Sequence, residues 1–194
     1  IYKRNGNTAK AVSEYKKALK IKPGWEECLL NLGDLTRKEN PDEAIRLFNR
    51  AKELAPESSE ARCRIGEIYF DKGETDQAEI IFSKILTDSP LYTPAAVNLA
   101  SVYYSQNKLT DAEKLLREHQ ENDPENSELR LLLGNILLET GKYNEAFTTI
   151  RWVLDRNENE SRAWFAMARQ FSLSGKKDRA LNTFRRGLKI DPDA

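Results

Sequence analysis

Apolar residues recur along this chain at steps of three and four. Between Ser59 and Tyr92, Ile65, Ile68 and Tyr69 share one helical stripe, while Ala78 and Phe82 mark a second. Gly73 separates the two stripes and Pro90 closes the segment, so the pattern predicts a pair of helices joined by a short turn. The same order of small, large and breaking residues returns five times, with half a copy in front, which predicts eleven helices. One such pair is too thin to bury its own stripe, so successive pairs must stack.

The copies differ in informative ways. In front, Gly6, Ala11, Tyr15, Ala18 and Pro23 belong to the second half of a copy, and Ile1 and Tyr2 read as the last turn of a helix cut short. The next copy carries Cys28, Leu32-Gly33, Ala44, Phe48 and Pro56, and is one residue short: Pro23 to Pro56 is 33, against 34 from Pro56 to Pro90. Its turn lacks a glycine. Asn40 is placed to cap the second helix with Pro41 in the first turn and Glu43 completing a capping box, which predicts a tighter turn. The fourth copy has Asn107 where the turn glycine belongs, the residue next best suited to positive φ. In the fifth, Glu158 replaces the closing proline, which predicts a looser or more helical link.

A period of about 34 residues carrying Ala61, Ile65-Gly66, Tyr69, Gly73, Ala78, Phe82 and Pro90 resembles the tetratricopeptide repeat (TPR) family. The resemblance implies an all-α TPR α-solenoid, a right-handed superhelix of stacked helix-turn-helix hairpins. It would form a single domain, 1–194, with a half repeat 1–25 and repeats 26–58, 59–92, 93–126, 127–160 and 161–194. In this family the first helices line a concave groove, and the chain is accordingly expected to be a non-enzymatic scaffold or adaptor holding a peptide or partner protein there. The alternative is the recruitment segment of a larger enzyme, such as a TPR-bearing glycosyltransferase.

First-helix positions turned away from the packing stripe give the expected groove. They are Asn31, Asp34, Arg64, Glu67, Phe70, Asn98, Ser101, Tyr104, Leu131, Asn135, Leu138, Phe165 and Arg169, with Asp71, Val97, Glu128, Leu132 and Arg162 on the same faces. Exposed Tyr104, Leu131, Leu138 and Phe165 would be the anchors, since large apolar groups dominate hot spots. One TPR class grips the carboxylate terminus of chaperones; Asn31 and Arg64 match two of its positions, but Glu60 stands where that clamp requires lysine.

Composition narrows the classes further. The 31 basic and 31 acidic residues cancel, so no long-range field points to nucleic acid, and no apolar run is long enough for membrane insertion. Lys176, Lys177, Arg179, Arg185, Arg186 and Lys189 make the last hairpin locally basic and read as a solvated face. His119 is the sole histidine and stands where Ala51 does in an earlier copy, so it is expected to pack rather than catalyse or bind metal. No cofactor motif is present. Cys28 and Cys63 look like buried thiols, favouring a cytoplasmic setting; Asn159-Glu160-Ser161 would matter as a glycosylation triplet only on export. Leu181, Phe184 and Leu188 form a last apolar face expected to meet a missing segment, a partner, or a second copy.

Overall fold

The computed structural model describes residues 8–193, so the expectations for Gly6 and for Ile1 and Tyr2 lie outside the described residues. Eleven helices and no strand occur among the described residues. They are α1 (Thr8–Ile21), α2 (Glu26–Thr36), α3 (Pro41–Leu54), α4 (Ser59–Asp71), α5 (Thr75–Asp88), α6 (Thr93–Ser105), α7 (Leu109–Asn122), α8 (Ser127–Glu139), α9 (Tyr143–Arg156), α10 (Ser161–Leu173) and α11 (Lys177–Ile190). The chain divides into two compact units, the first reaching Ala95 and the second beginning at Ala96. In the first, Leu29, Leu32, Phe48, Ala61 and Ile68 anchor the core; in the second, Leu116, Leu133, Ile136, Ile150 and Val153 do so.

Each hairpin closes by pressing a large side chain of its second helix onto a small residue of its first. A Cβ added to Gly33 would lie 2.3 Å from the Phe48 ring, one on Gly66 2.6 Å from Phe82, and one on Gly134 2.6 Å from Ile150. Such distances are well inside van der Waals contact, so glycine is what lets the helices meet. Phe82 of α5 therefore packs inside its own hairpin, on Gly66 of α4. The last hairpin reverses the polarity: Ala168 occupies the first-helix position, and Gly187 of α11 lies against the Phe165 ring of α10, where an added Cβ would come within 2.5 Å of it.

The turns inside the hairpins follow one recipe. Gly73, Gly141 and Gly175 take φ of +77°, +75° and +75°, and Asn107 takes φ 59°, as its substitution for glycine predicts. The residue after each donates its N–H five residues back, as in Glu74 to Tyr69 at 2.9 Å and Lys108 to Tyr103 at 2.8 Å, satisfying carbonyls left open by the helix end.

The short copy departs from its expectation. The link 37–40 is a residue longer than 72–74, and α2 is the shorter helix, with 11 residues against 13 in α4. Asn40 does cap α3, its Oδ1 accepting the Glu43 N–H at 3.0 Å. The reciprocal half of a capping box is missing, because the Asn40 N–H donates to the Thr36 carbonyl at 2.8 Å. The Glu43 carboxylate instead accepts from the Asn40 side-chain amide at 3.5 Å and reaches Lys16 at 3.4 Å. Nor does Glu158 loosen its link: 157–160 has the same length as 123–126. The four-residue link does not need proline, since Glu160 donates its N–H to Asn157 at 3.2 Å and holds the turn.

Cation and ring exchange places between neighbouring hairpins. In one, Arg130 stacks 3.9 Å from the Trp152 ring and donates to the Pro124 carbonyl at 2.9 Å. In the next, at the same repeat positions, Trp164 lies 5.3 Å from Arg186 and donates from Nε1 to the Glu158 carbonyl at 2.7 Å. Either residue covers the carbonyl and supplies half of a cation–π pair.

Phe48, Phe82, Leu116 and Ile150 are fully buried, while Phe184, at the corresponding place in α11, is 44% exposed beside Leu181 at 51%. Gly66→Ala is expected to destabilise the protein by about 1–3 kcal/mol through overpacking against Phe82. Urea unfolding monitored by circular dichroism, giving a midpoint equal to wild type, would contradict this account of hairpin closure.

Candidate functional site

The first helices bring the expected groove residues to one face in each unit. In the first unit, α2 and α4 carry Asn31, Asp34, Arg64, Glu67 and Phe70. Arg64 donates to both oxygens of Asp34 at 2.7 Å and to Glu60 at 2.6 Å. Arg37 donates to Glu67 at 2.7 Å and to Asp71 at 2.8 Å. The charges on this face are thus largely spent on one another. The Asn31 amide donates to the Glu27 carbonyl at 2.8 Å, and Phe70 is half-buried. With Arg64 held by Asp34 and Glu60, the arginine that would serve a clamp for a terminal carboxylate is already paired. Tyr92, which the repeat pattern did not single out because it lies in a link, has its phenol pushed up to about 12 by burial and then by the neighbouring Cys63 and Glu60.

In the second unit, α8 and α10 with the part of α6 from Ala96 onward form an open cleft of about 440 Å³. It gathers Ser101, Leu131, Asn135, Phe165 and Arg169 from the expected set, together with Val97, Glu128, Leu132 and Arg162. The residues of α10 that line it, Arg162, Phe165, Ala166 and Arg169, recur at three and four and so share one side of the helix. Asn135 makes no side-chain hydrogen bond among the described residues, leaving its amide available in the cleft. Ser101 donates its hydroxyl to the Val97 carbonyl at 3.0 Å, which leaves only its acceptor side open.

Two expected anchors need correction. Leu131 and Leu138 are 5% and 2% exposed and belong to the core of their unit. Leu131 still reaches the cleft wall, whereas Leu138 is absent from it. The physical reason is the breadth of the apolar stripe on α8, where Leu129, Leu131, Leu133, Ile136, Leu137 and Leu138 are all buried by neighbouring helices. Phe165 and Tyr104 are half-buried, with Phe165 tilted against Phe184 at 5.2 Å between ring centroids. Asn98 and Tyr104 stand outside the cleft lining.

One end of this face is built around a residue the groove selection omitted. Glu139, the last residue of α8, accepts from the Tyr104 hydroxyl of α6 at 2.9 Å and from Arg169 of α10 at 2.7 Å. It thereby ties three first helices together. The repeat register carried the signal, since Glu139 is two periods beyond Asp71, itself on the groove face. The Arg169 hydrogen bond and then that of Tyr104 hold the Glu139 carboxyl below its usual range, while burial followed by Glu139 pushes the Tyr104 phenol up.

Other chemistry is sparse. His119 is 6% exposed, as its place in the packing predicts; burial lowers its pKa, and among the described residues its Nδ1 finds no hydrogen-bond partner. Among the described residues no group of three or more His, Cys, Asp or Glu is arranged to hold a metal, and no helix is long and apolar enough to cross a membrane.

A stack of two-helix hairpins whose first helices present a mixed polar and apolar face defines an all-α solenoid of the protein-interaction scaffold class. Tetratricopeptide repeat families match residues 1–24, 35–90 and 131–194, and the family "Anaphase-promoting complex, cyclosome, subunit 3" matches residues 71–153. Comparison with curated proteins returns no match. Among solved structures, TTC0263, a thermophilic TPR protein of Thermus thermophilus, is 21% identical with a TM-score of 0.74, covering 87% of this chain and 92% of its own. YrrB, described as a TPR protein with an unusual peptide-binding site, is 20% identical with a TM-score of 0.61 over 92% and 93%. The anaphase-promoting complex hetero-tetramer Cut9-Hcn1 aligns with all of this chain at a TM-score of 0.87 and 14% identity, but over only 39% of its own chain. The chain is a member of the tetratricopeptide repeat family.

The Glu139 triad has a defined pH signature. A carboxyl whose folded pKa is depressed stabilises the fold above its unfolded value, near 4.3, and that contribution disappears as pH falls through the lower folded value. The stability gap between wild type and Glu139→Gln should therefore be constant above about pH 5 and shrink as the solution is acidified. Thermal melts from pH 3 to 7 that show a pH-independent gap would refute the assignment.

Proposed function

We propose that this chain is a single tetratricopeptide domain that recruits another protein by holding a peptide segment of it against the first-helix faces. The observation that supports this best is the cleft of the second unit, where Leu131, Leu132, Phe165 and Ala166 offer an apolar wall and Asn135 an unspent amide. An apolar side chain of the ligand seats against Phe165 and Leu132, and the Asn135 amide takes its backbone. Arg162 and Arg169 contribute less charge than their number suggests, because Glu160 at 2.8 Å and Glu139 at 2.7 Å already pair with them. Ligand choice in the cleft therefore rests on shape and backbone hydrogen bonding more than on net charge.

Selection of peptides from a random display library on the immobilised full chain tests this reading. Peptides so recovered should lose about tenfold or more in affinity to Asn135→Ala and to Leu132→Glu. Both side chains are only partly buried, so either change is compatible with folding. Recovered peptides that bind both variants as tightly as wild type would place the ligand elsewhere.

The exposed Leu181 and Phe184 of α11 support a second property, self-association through that helix. Sedimentation of wild type should show a mass that rises with concentration, and Phe184→Glu should abolish the rise. A concentration-independent monomer would dispose of it.

A further inference from the structure

Cavities, charge clusters and helix faces outside the cleft converge on the opposite side of α10. A second pocket, of about 530 Å³, opens between α9, α10 and α11. The α10 residues lining it are Trp164, Met167 and Phe171, which at about 100° per residue lie half a turn away from those lining the cleft. The same helix thus separates two unrelated surfaces.

The second pocket differs from its counterpart one hairpin earlier in a way that concerns charge. There the positions equivalent to Arg179 and Arg186 are Glu145 and Trp152, and both are satisfied internally: Glu145 pairs with Arg117 at 2.6 Å, and Trp152 is stacked by Arg130 at 3.9 Å and Arg156 at 3.6 Å. In the last hairpin both positions are cationic. Neither Arg179 nor Arg186 forms an ion pair among the described residues, Arg186 having only the Trp164 ring at 5.3 Å. The third cation, Arg151, is spent on Asp155 at 2.6 Å. Glu158 on the pocket wall belongs to the α9–α10 link, whereas Arg179 and Arg186 both belong to α11. What the α11 side offers is two unspent guanidinium groups, two helical turns or about 10 Å apart along the axis, beside aromatic and aliphatic surface from Trp164, Phe171 and Met167.

We propose that this pocket is a second docking site, distinct from the first-helix cleft, for an acidic segment of a partner protein in which carboxylates flank an aromatic residue. The aromatic ring enters against Trp164, Met167 and Phe171. The flanking carboxylates meet Arg179 and Arg186, forming the charge-assisted hydrogen bonds that these guanidinium groups do not make within the chain. Charge complementarity selects this occupant over a basic or neutral peptide, and the size of the pocket suits one bulky side chain with its neighbours. A partner engaging both sides of α10 would gain in avidity without any contact between the two segments.

Isothermal titration of the full chain with the peptide acetyl-Asp-Glu-Phe-Glu-Asp-amide tests the assignment. One peptide should bind per chain, and acetyl-Lys-Lys-Phe-Lys-Lys-amide should not bind. The double variant Arg179→Glu, Arg186→Glu, at two exposed positions and checked for folding by circular dichroism, should weaken binding by about tenfold or more. Asn135→Ala, in the cleft, should leave it unchanged, which separates this site from the proposed peptide groove. The proposal is overturned if the acidic peptide fails to bind at millimolar concentration, if charge reversal has no effect, or if Asn135→Ala weakens binding as much.

Discussion

Everything in this protein depends on how closely the two helices of a hairpin approach. Helix axes come within contact distance only where one surface is nearly flat, and Gly33, Gly66 and Gly134 provide that flatness beneath Phe48, Phe82 and Ile150. With these side chains seated, Ala44, Ala78 and Ala146 sink to complete burial and the apolar stripes of neighbouring helices can mesh. The close approach also sets which side of each first helix remains free. A wider hairpin would turn the stripe, and the faces bearing Asn31, Arg64, Asn135 and Arg169 would turn with it.

Charge has a secondary and more local part. The chain is neutral in sum, but its ions are arranged in small sets that link one first helix to the next, such as Asp34–Arg64 and Tyr104–Glu139–Arg169. Partly exposed pairs of this kind contribute little stability each. Their consequence is geometric, since they fix neighbouring first helices in register and neutralise the surface a ligand would meet. Glu113 shows the same economy away from that surface. Burial alone would raise its pKa, yet Lys142 at 2.7 Å and Arg117 at 2.8 Å outweigh burial and keep it charged between α7 and α9.

The last hairpin is where repetition breaks down and individual chemistry appears. Ring and glycine change helices at Phe165 and Gly187, cation and indole change places at Trp164 and Arg186, and Phe184 is left partly exposed. Each exchange keeps the local packing rule while altering what the surface presents. Two arginines whose counterparts are an ion-paired glutamate and a stacked tryptophan become unspent cations beside an aromatic floor.

The sequence by itself determined the hairpin count and the turn positions, because these obey local rules of helical period and backbone freedom; that Phe48, Phe82 and Ile150 seat on the glycine of their own hairpin came from the structure. Asn107 at φ 59° and the Asn40 cap are examples legible from a handful of residues. What only the tertiary structure decided is the fate of side chains at the margin of a stripe. Leu131 and Leu138 occupy positions that look outward on an isolated helix, and neighbouring helices bury them. Arg64 looks like a ligand's partner until Asp34 and Glu60, thirty residues and one turn away, take its hydrogen bonds. Helical periodicity gives the direction of a side chain around its own axis, but whether that direction leads to solvent, core or an opposite charge depends on neighbours that a single helix does not encode.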